Sequence, residues 1–198
     1  MPKNRLLLVL PLILIAAAAA FRYLKLSQIV HVPALENFAP WMALAFTGTL
    51  VMSRRVPFFV LPMLLAVIDL AATGLTGVMH WEALGVYGAF ALAAWFASRS
   101  QGKVGLVGSL VGVITCSIGF YLLTNTMSWF VDPGYAKTLA GWTQAMTTGL
   151  PGLPPTIWFL RNSLLSDLAF SCLLLAAYNT EASFRRQDTI PLLRASIA

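Results

Sequence analysis

Asp69 and Asp167 fall inside long apolar runs, and Asn125 lies toward the end of another. An ionised side chain at the centre of a bilayer costs about 2.5–3.5 kcal/mol on insertion scales, so such residues face a helix bundle or a wet cavity. Asp167 has Ser163 and Ser166 beside it. It reads as hydrogen-bonded between helices, mainly for stability. Asp69 shares its region with His80, Glu82 and Tyr87 and reads as facing a ligand. His80, in Met79-His80-Trp81-Glu82, offers an imidazole nitrogen, a donor suited to borderline metals including cobalt. No three or four ligands at suitable spacing accompany it, so a resident zinc site is not expected. His80 could instead give one axial bond to a metal already held by a macrocycle. A solvated loop side chain is the plain alternative for both His80 and His31.

Catalysis is a weaker reading. Two carboxylates sharing a site can run acid–base hydrolysis. Intramembrane aspartyl proteases, however, place the second aspartate in Gly-x-Gly-Asp, and here it follows Leu165-Ser166. The two aspartates also fall at different depths. Cys116 and Cys172 lie in apolar stretches without ligand-like neighbours and read as small core residues. No GxxxxGK[ST] sequence is present, so the chain is not expected to hydrolyse ATP. The expectation is a protein that is not an enzyme and has no cofactor of its own.

These residues must be positioned by six apolar segments: Leu6–Leu24, Phe38–Met52, Pro57–Met79, Leu84–Ala97, Val104–Phe130 and Thr156–Tyr178. Crossing a bilayer core near 30 Å takes about 20 helical residues, and about 15 suffice where polar ends snorkel. The composition, 59% hydrophobic and 10% charged, leaves too little polar surface to cover a soluble globule. The expectation is an all-α integral membrane protein, residues 1–198 forming one six-transmembrane-helix domain. A cleaved secretion signal is the competing reading of the first segment, but its removal would spoil the alternation of loop charge.

That alternation sets orientation. With the N-terminus inside, Lys3, Arg5, Arg54, Arg55, Arg99, Lys103, Arg185, Arg186 and Arg194 are cytoplasmic, against Arg22, Lys25, Lys137 and Arg161 outside. The bias predicts N-in/C-in. The net charge of +6 is therefore a topology signal, dispersed among membrane ends rather than gathered on a nucleic-acid-binding face. The longer outer connections, 27–37 and 132–155, place the functional face outside. Within the second, Tyr135–Met146 could form an interfacial amphipathic helix. Trp81, Tyr87, Trp129, Trp142 and Trp158 cluster on that side, as an aromatic belt or as a bowl for a large, partly apolar ligand.

Four stretches carry a family resemblance: Glu36-Asn37-Phe38-Ala39-Pro40 through Thr49; Ile68-Asp69-Leu70; Thr124-Asn125 through Trp129 with Tyr135–Gly141; and Arg161-Asn162 through Ser166-Asp167-Leu168. In their order and spacing they resemble bacterial membrane transport proteins related to the substrate-binding S components of energy-coupling factor (ECF) vitamin transporters. The solitary cobalamin-specific S components are the most similar. The resemblance implies a six-helix bundle of ECF S-component type in the bacterial cytoplasmic (inner) membrane, with an outward-facing vitamin pocket and cobalamin as transported ligand. Such members carry a cysteine between the third and fourth spans that binds the corrin cobalt. Here His80 occupies that region: its imidazole could be the axial ligand to the substrate cobalt, or the substrate is another vitamin or small solute and not a corrinoid. The substrate-binding candidates are His80, Asp69, Tyr87, His31, Asn37, Trp81, Asn125 and Trp129. The small-residue run Ala16–Ala20 could dock an ECF energising module, pack within the bundle, or serve no partner if the protein is solitary. A scaffold subunit without ligand is the remaining alternative.

Overall fold

The computed structural model describes residues 8–30 and 38–193. Among them the chain is helical throughout, with no strand. Helix α1 spans Val9–Leu26, and a π-helical segment, Ala43–Gly48, runs directly into the short α2, Thr49–Val51. Then come α3 (Val60–Val78), α4 (Trp81–Ser100), α5 (Leu106–Val131), α6 (Leu139–Met146) and α7 (Thr156–Phe184). Four of these, α1, α3, α5 and α7, are long and apolar enough to cross a membrane. Helix α4 has 20 residues but carries Glu82 near one end and Arg99 at the other, and it is not among the four.

The helices are built inside out. Along α5 the buried positions are Ser109, Val113, Ser117 and Tyr121, a strict four-residue spacing that puts small and polar groups on one face. Large apolar side chains on its other faces, such as Val111 and Leu122, are exposed. In α3, Leu61, Leu65 and Ile68 face inward while Met63 and Val67 stand out. Large exposed apolar side chains around a partly polar interior are the signature of a bundle whose solvent is lipid. Cys172, read from sequence as a core residue, lies on this outer surface, and Cys116 is half-buried.

Pro11, Ile15, Ala18 and Arg22 form the inward stripe of α1, so part of Ala16–Ala20 packs within the bundle. The second apolar segment departs most from expectation. Its helical turns are short, and every residue from Ala43 to Val51 is buried. A π-helical stretch widens the turn and commonly marks a functional site. Near the end of α3, Gly74 breaks helical geometry at φ 70°, a left-handed value that glycine adopts without a Cβ clash.

The described helix ends and connections sort onto two faces. At one, the Leu10 N–H donates to Glu181 Oε2 of α7 at 2.7 Å, which joins the start of α1 to the end of α7. There too, Gln101 Nε2 donates to the carbonyls of Thr49 and Met52, and an Arg54 N–H donates to the carbonyl of Gln101. Arg99, Lys103 and Arg185 lie at these same helix ends. At the opposite face, Tyr121 donates to the carbonyl of Met146 and ties α6 across the end of the bundle.

Candidate functional site

Beneath that tie lies a cavity of about 430 Å³. Its walls come from α5 (Ser117, Tyr121, Asn125), from α7 (Thr156, Ser163, Asp167) and from Trp41 and Met42 at the entry to the π-helical segment. Its roof is the 132–155 connection, through Tyr135, Leu150 and Leu153.

Local geometry explains the roof. Thr138 accepts from the Gly141 N–H at 3.2 Å and caps α6. Gly149, at φ 70°, turns the chain back after α6, and Gln144 Nε2 donates to its carbonyl at 3.0 Å. Thr156 begins α7 and donates to the Thr147 carbonyl at 3.3 Å, fastening one end of the cap to the other. Burial, and then the neighbouring Asp132 carboxylate, push the Tyr135 phenol above its ordinary 10.0, so it stays a neutral hydroxyl.

Asp167 is the floor. Its Oδ1 accepts from the Ala43 N–H at 2.9 Å and its Oδ2 from Ser117 Oγ at 2.6 Å. The Met42 backbone N–H also donates to it, and three bonds leave part of a carboxylate's roughly four acceptor sites open. Among the described residues no cation pairs with it within 4.0 Å. Beyond it, Thr47 and Ser171 share a 2.7 Å hydroxyl bond, and the buried Phe46, Leu50, Leu174 and Tyr178 close the way to the arginine-rich face. The cavity is an amphipathic cup with the Asp167 carboxylate at its floor and the Asp132 side chain also on its lining. It can hold a small solute that offers a positive charge or hydrogen-bond donors.

The expected site residues are distributed differently. Asn125 lines the cavity, and its Nδ2 donates to the Tyr121 carbonyl at 2.8 Å. Asp69 and Tyr87 lie off the lining. Asp69 is clamped by the Arg22 guanidinium through both oxygens and also accepts from Tyr87 Oη at 2.9 Å. The physical reason is that a desolvated carboxylate takes the nearest cation, and Arg22 on the inward stripe of α1 supplies one. Arg22 in turn stacks 3.9 Å from the ring centroid of Trp41, a wall of the cavity, so this cluster supports the site from behind.

His80 precedes α4 as an exposed side chain, its Nδ1 3.0 Å from Glu82 Oε2, and Trp81 in the first turn is exposed as well. Neither lines the cavity. Trp129 donates to the Ala136 carbonyl at 2.8 Å and braces the roof from outside. His31 and Asn37 lie outside the described residues. No group of three metal-ligating side chains occurs among the described residues. Sequence reasoning missed Ser117, Tyr121, Tyr135 and Trp41 as lining residues. The four-residue spacing from Ser109 to Tyr121 was the available signal.

The chain belongs to a family of unknown function (DUF6580), whose model matches residues 2–188. No curated protein and no solved structure matches it.

Proposed function

We propose that the protein is a substrate-binding uptake subunit of the ECF S-component type, crossing the bacterial cytoplasmic membrane six times with both termini inside. In this reading α4 and the segment from Trp41 to Val51 complete the six crossings. The segment compensates for its shortness by being enclosed in protein, where backbone groups find partners without lipid contact. The arginine-rich face is cytoplasmic and the cavity opens outward. One observation carries the reading: a capped amphipathic cavity lies at the end of the bundle away from the face of Arg54, Arg99, Lys103 and Arg185, with Asp167 at its floor.

The cavity also narrows the solute. At about 430 Å³ it falls within the roughly 300–1,000 Å³ typical of sites for drug-sized ligands. A corrinoid is several times larger and would have to displace the whole roof. A small, vitamin-like solute with a cationic or donor-rich head suits the cup and the carboxylates of Asp167 and Asp132 on its lining. A solute present at 100 times its Kd stabilises the folded state by about 2.7 kcal/mol, so a thermal-shift screen reads it directly. The screen covers thiamine-like, pyridine-based and amino-bearing solutes, anionic vitamins and cobalamin. The expected result is a rise in Tm with a cationic small solute that is lost in Asn125→Leu. A panel in which only anionic compounds or only cobalamin raise Tm would overturn the assignment.

A further inference from the structure

A second concavity lies on the opposite side of α5 from the cavity floor. It is a furrow of about 510 Å³ between α4 and α5, lined by Ala89, Ala93 and Phe96 on one helix and Gly108, Gly112 and Gly119 on the other. The Phe46 ring forms its bottom, because a Cβ on Gly112 would come within 2.4 Å of that ring. Over Gly119 a Cβ would meet nothing within 4 Å, so the furrow is open there. From Gly108 to Gly119 the helix rises about 16 Å at 1.5 Å per residue, close to the roughly 15 Å hydrocarbon depth of one leaflet.

The furrow does not end in apolar surface. Ser100 and Val104 line its last turn, and their chain neighbours Arg99, Gln101 and Lys103 line a separate recess of about 430 Å³ together with Arg54 and Phe58. That recess holds three cations and no acidic side chain. Arg54 is fixed through the Gln101 carbonyl, and Arg99 stacks 5.4 Å from the Trp95 ring centroid. An apolar trough a leaflet deep that leads to fixed cations complements one class of molecule in both shape and charge.

We propose that this face is a binding site for one anionic diacyl phospholipid, with an acyl chain in the furrow and the phosphate among Arg54, Arg99 and Lys103. The full-length protein in detergent is titrated with dioleoyl phosphatidylglycerol, with dioleoyl phosphatidylcholine and with inorganic phosphate, and bound lipid is counted by native mass spectrometry. The anionic lipid should bind at least tenfold tighter than the zwitterionic one of identical chains, and phosphate alone should not displace it. Arg99→Gln with Lys103→Gln should bring the ratio near one. Arg186→Gln, which removes the same single charge as Lys103→Gln at the same end but outside the recess, should leave it unchanged. Gly119→Leu, which fills the open part of the furrow, should weaken both lipids. Equal binding of the two lipids, an unchanged ratio in the double variant, the same loss in Arg186→Gln, or displacement by phosphate would overturn the proposal. Should the double variant fail to fold, Lys103→Gln alone carries the same comparison.

Discussion

The carboxylate of Asp167 on α7 accepts a 2.9 Å hydrogen bond from the Ala43 N–H, 124 residues away, at the start of the π-helical segment. The first N–H groups of a helix have no partner within it, and a carboxylate there satisfies both the orphan donor and the positive end of the helix dipole. The same carboxylate floors the cavity. One side chain therefore joins the fold of the most buried segment to the chemistry of the site.

This double role separates two substitutions. In Asp167→Asn the amide oxygen can still accept from Ala43, and Ser117 can reverse its hydroxyl to accept from the amide. The variant should fold with a Tm near that of the parent and bind a cationic solute at least tenfold more weakly. Asp167→Ala leaves the Ala43 N–H buried without a partner and should cost about 1–3 kcal/mol of stability as well. Thermal unfolding and solute titration in detergent measure both. Normal binding by Asp167→Asn would remove Asp167 from the site.

The Arg22–Asp69 pair should behave in the opposite way. Both residues are buried, so removing one partner strands a charge in low dielectric, a loss of about 3–5 kcal/mol. Asp69→Asn should unfold far below the parent temperature. Arg22→Met combined with Asp69→Asn removes both charges, leaves Tyr87 an acceptor, and should recover most of that loss. The recovered double variant should still bind solute, weakened only through the loss of the guanidinium stacked on Trp41.

What could be read from the chain follows from the physics of each signal. The apolar runs match α1, α3 and α5 to within three residues and the start of α7, which continues six residues past Tyr178 into its charged end, because length and hydropathy mark the part of a helix that suits lipid. The 132–155 connection was recognisable as a site element because it exceeds what a turn needs, and it does roof the cavity. Asn125, singled out for its depth in an apolar run, lines the cavity. Depth does not reveal which way a helix is rotated, however. That is why Asp69, with ligand-like neighbours in sequence, is tied to Arg22, whereas Asp167, beside two serines, meets the cavity. The π-helical geometry of Ala43–Gly48 was not legible, since no local residue pattern marks it and its contact with Asp167 is 124 residues distant in sequence.

Orientation is open to direct labelling. In a background with Cys116 and Cys172 replaced by alanine, single cysteines are placed at Arg55, in the exposed turn before α3, and at Lys137, in the exposed roof. With the arginine-rich face inside, a membrane-impermeant maleimide added to intact cells should modify position 137 and leave position 55 unreacted until the cells are lysed. Labelling of position 55 in intact cells would invert or break the six-span arrangement.

His80 gives the test that divides a small solute from a corrinoid. A cobalt–imidazole bond would require the neutral ring nitrogen to face the ligand. In the structure Nδ1 is engaged with Glu82 Oε2 at 3.0 Å, which leaves Nε2 open, but the residue stands outside the cavity lining. His80→Ala should therefore leave solute affinity within a factor of two and Tm within about a degree, the behaviour of surface substitutions away from any site. Cobalamin mixed with either protein should give the same visible spectrum. If cobalamin binds the parent and its absorption bands shift on His80→Ala, axial ligation from this turn is real. The corrinoid then sits over the α3–α4 end, and the cup above Asp167 is not its pocket.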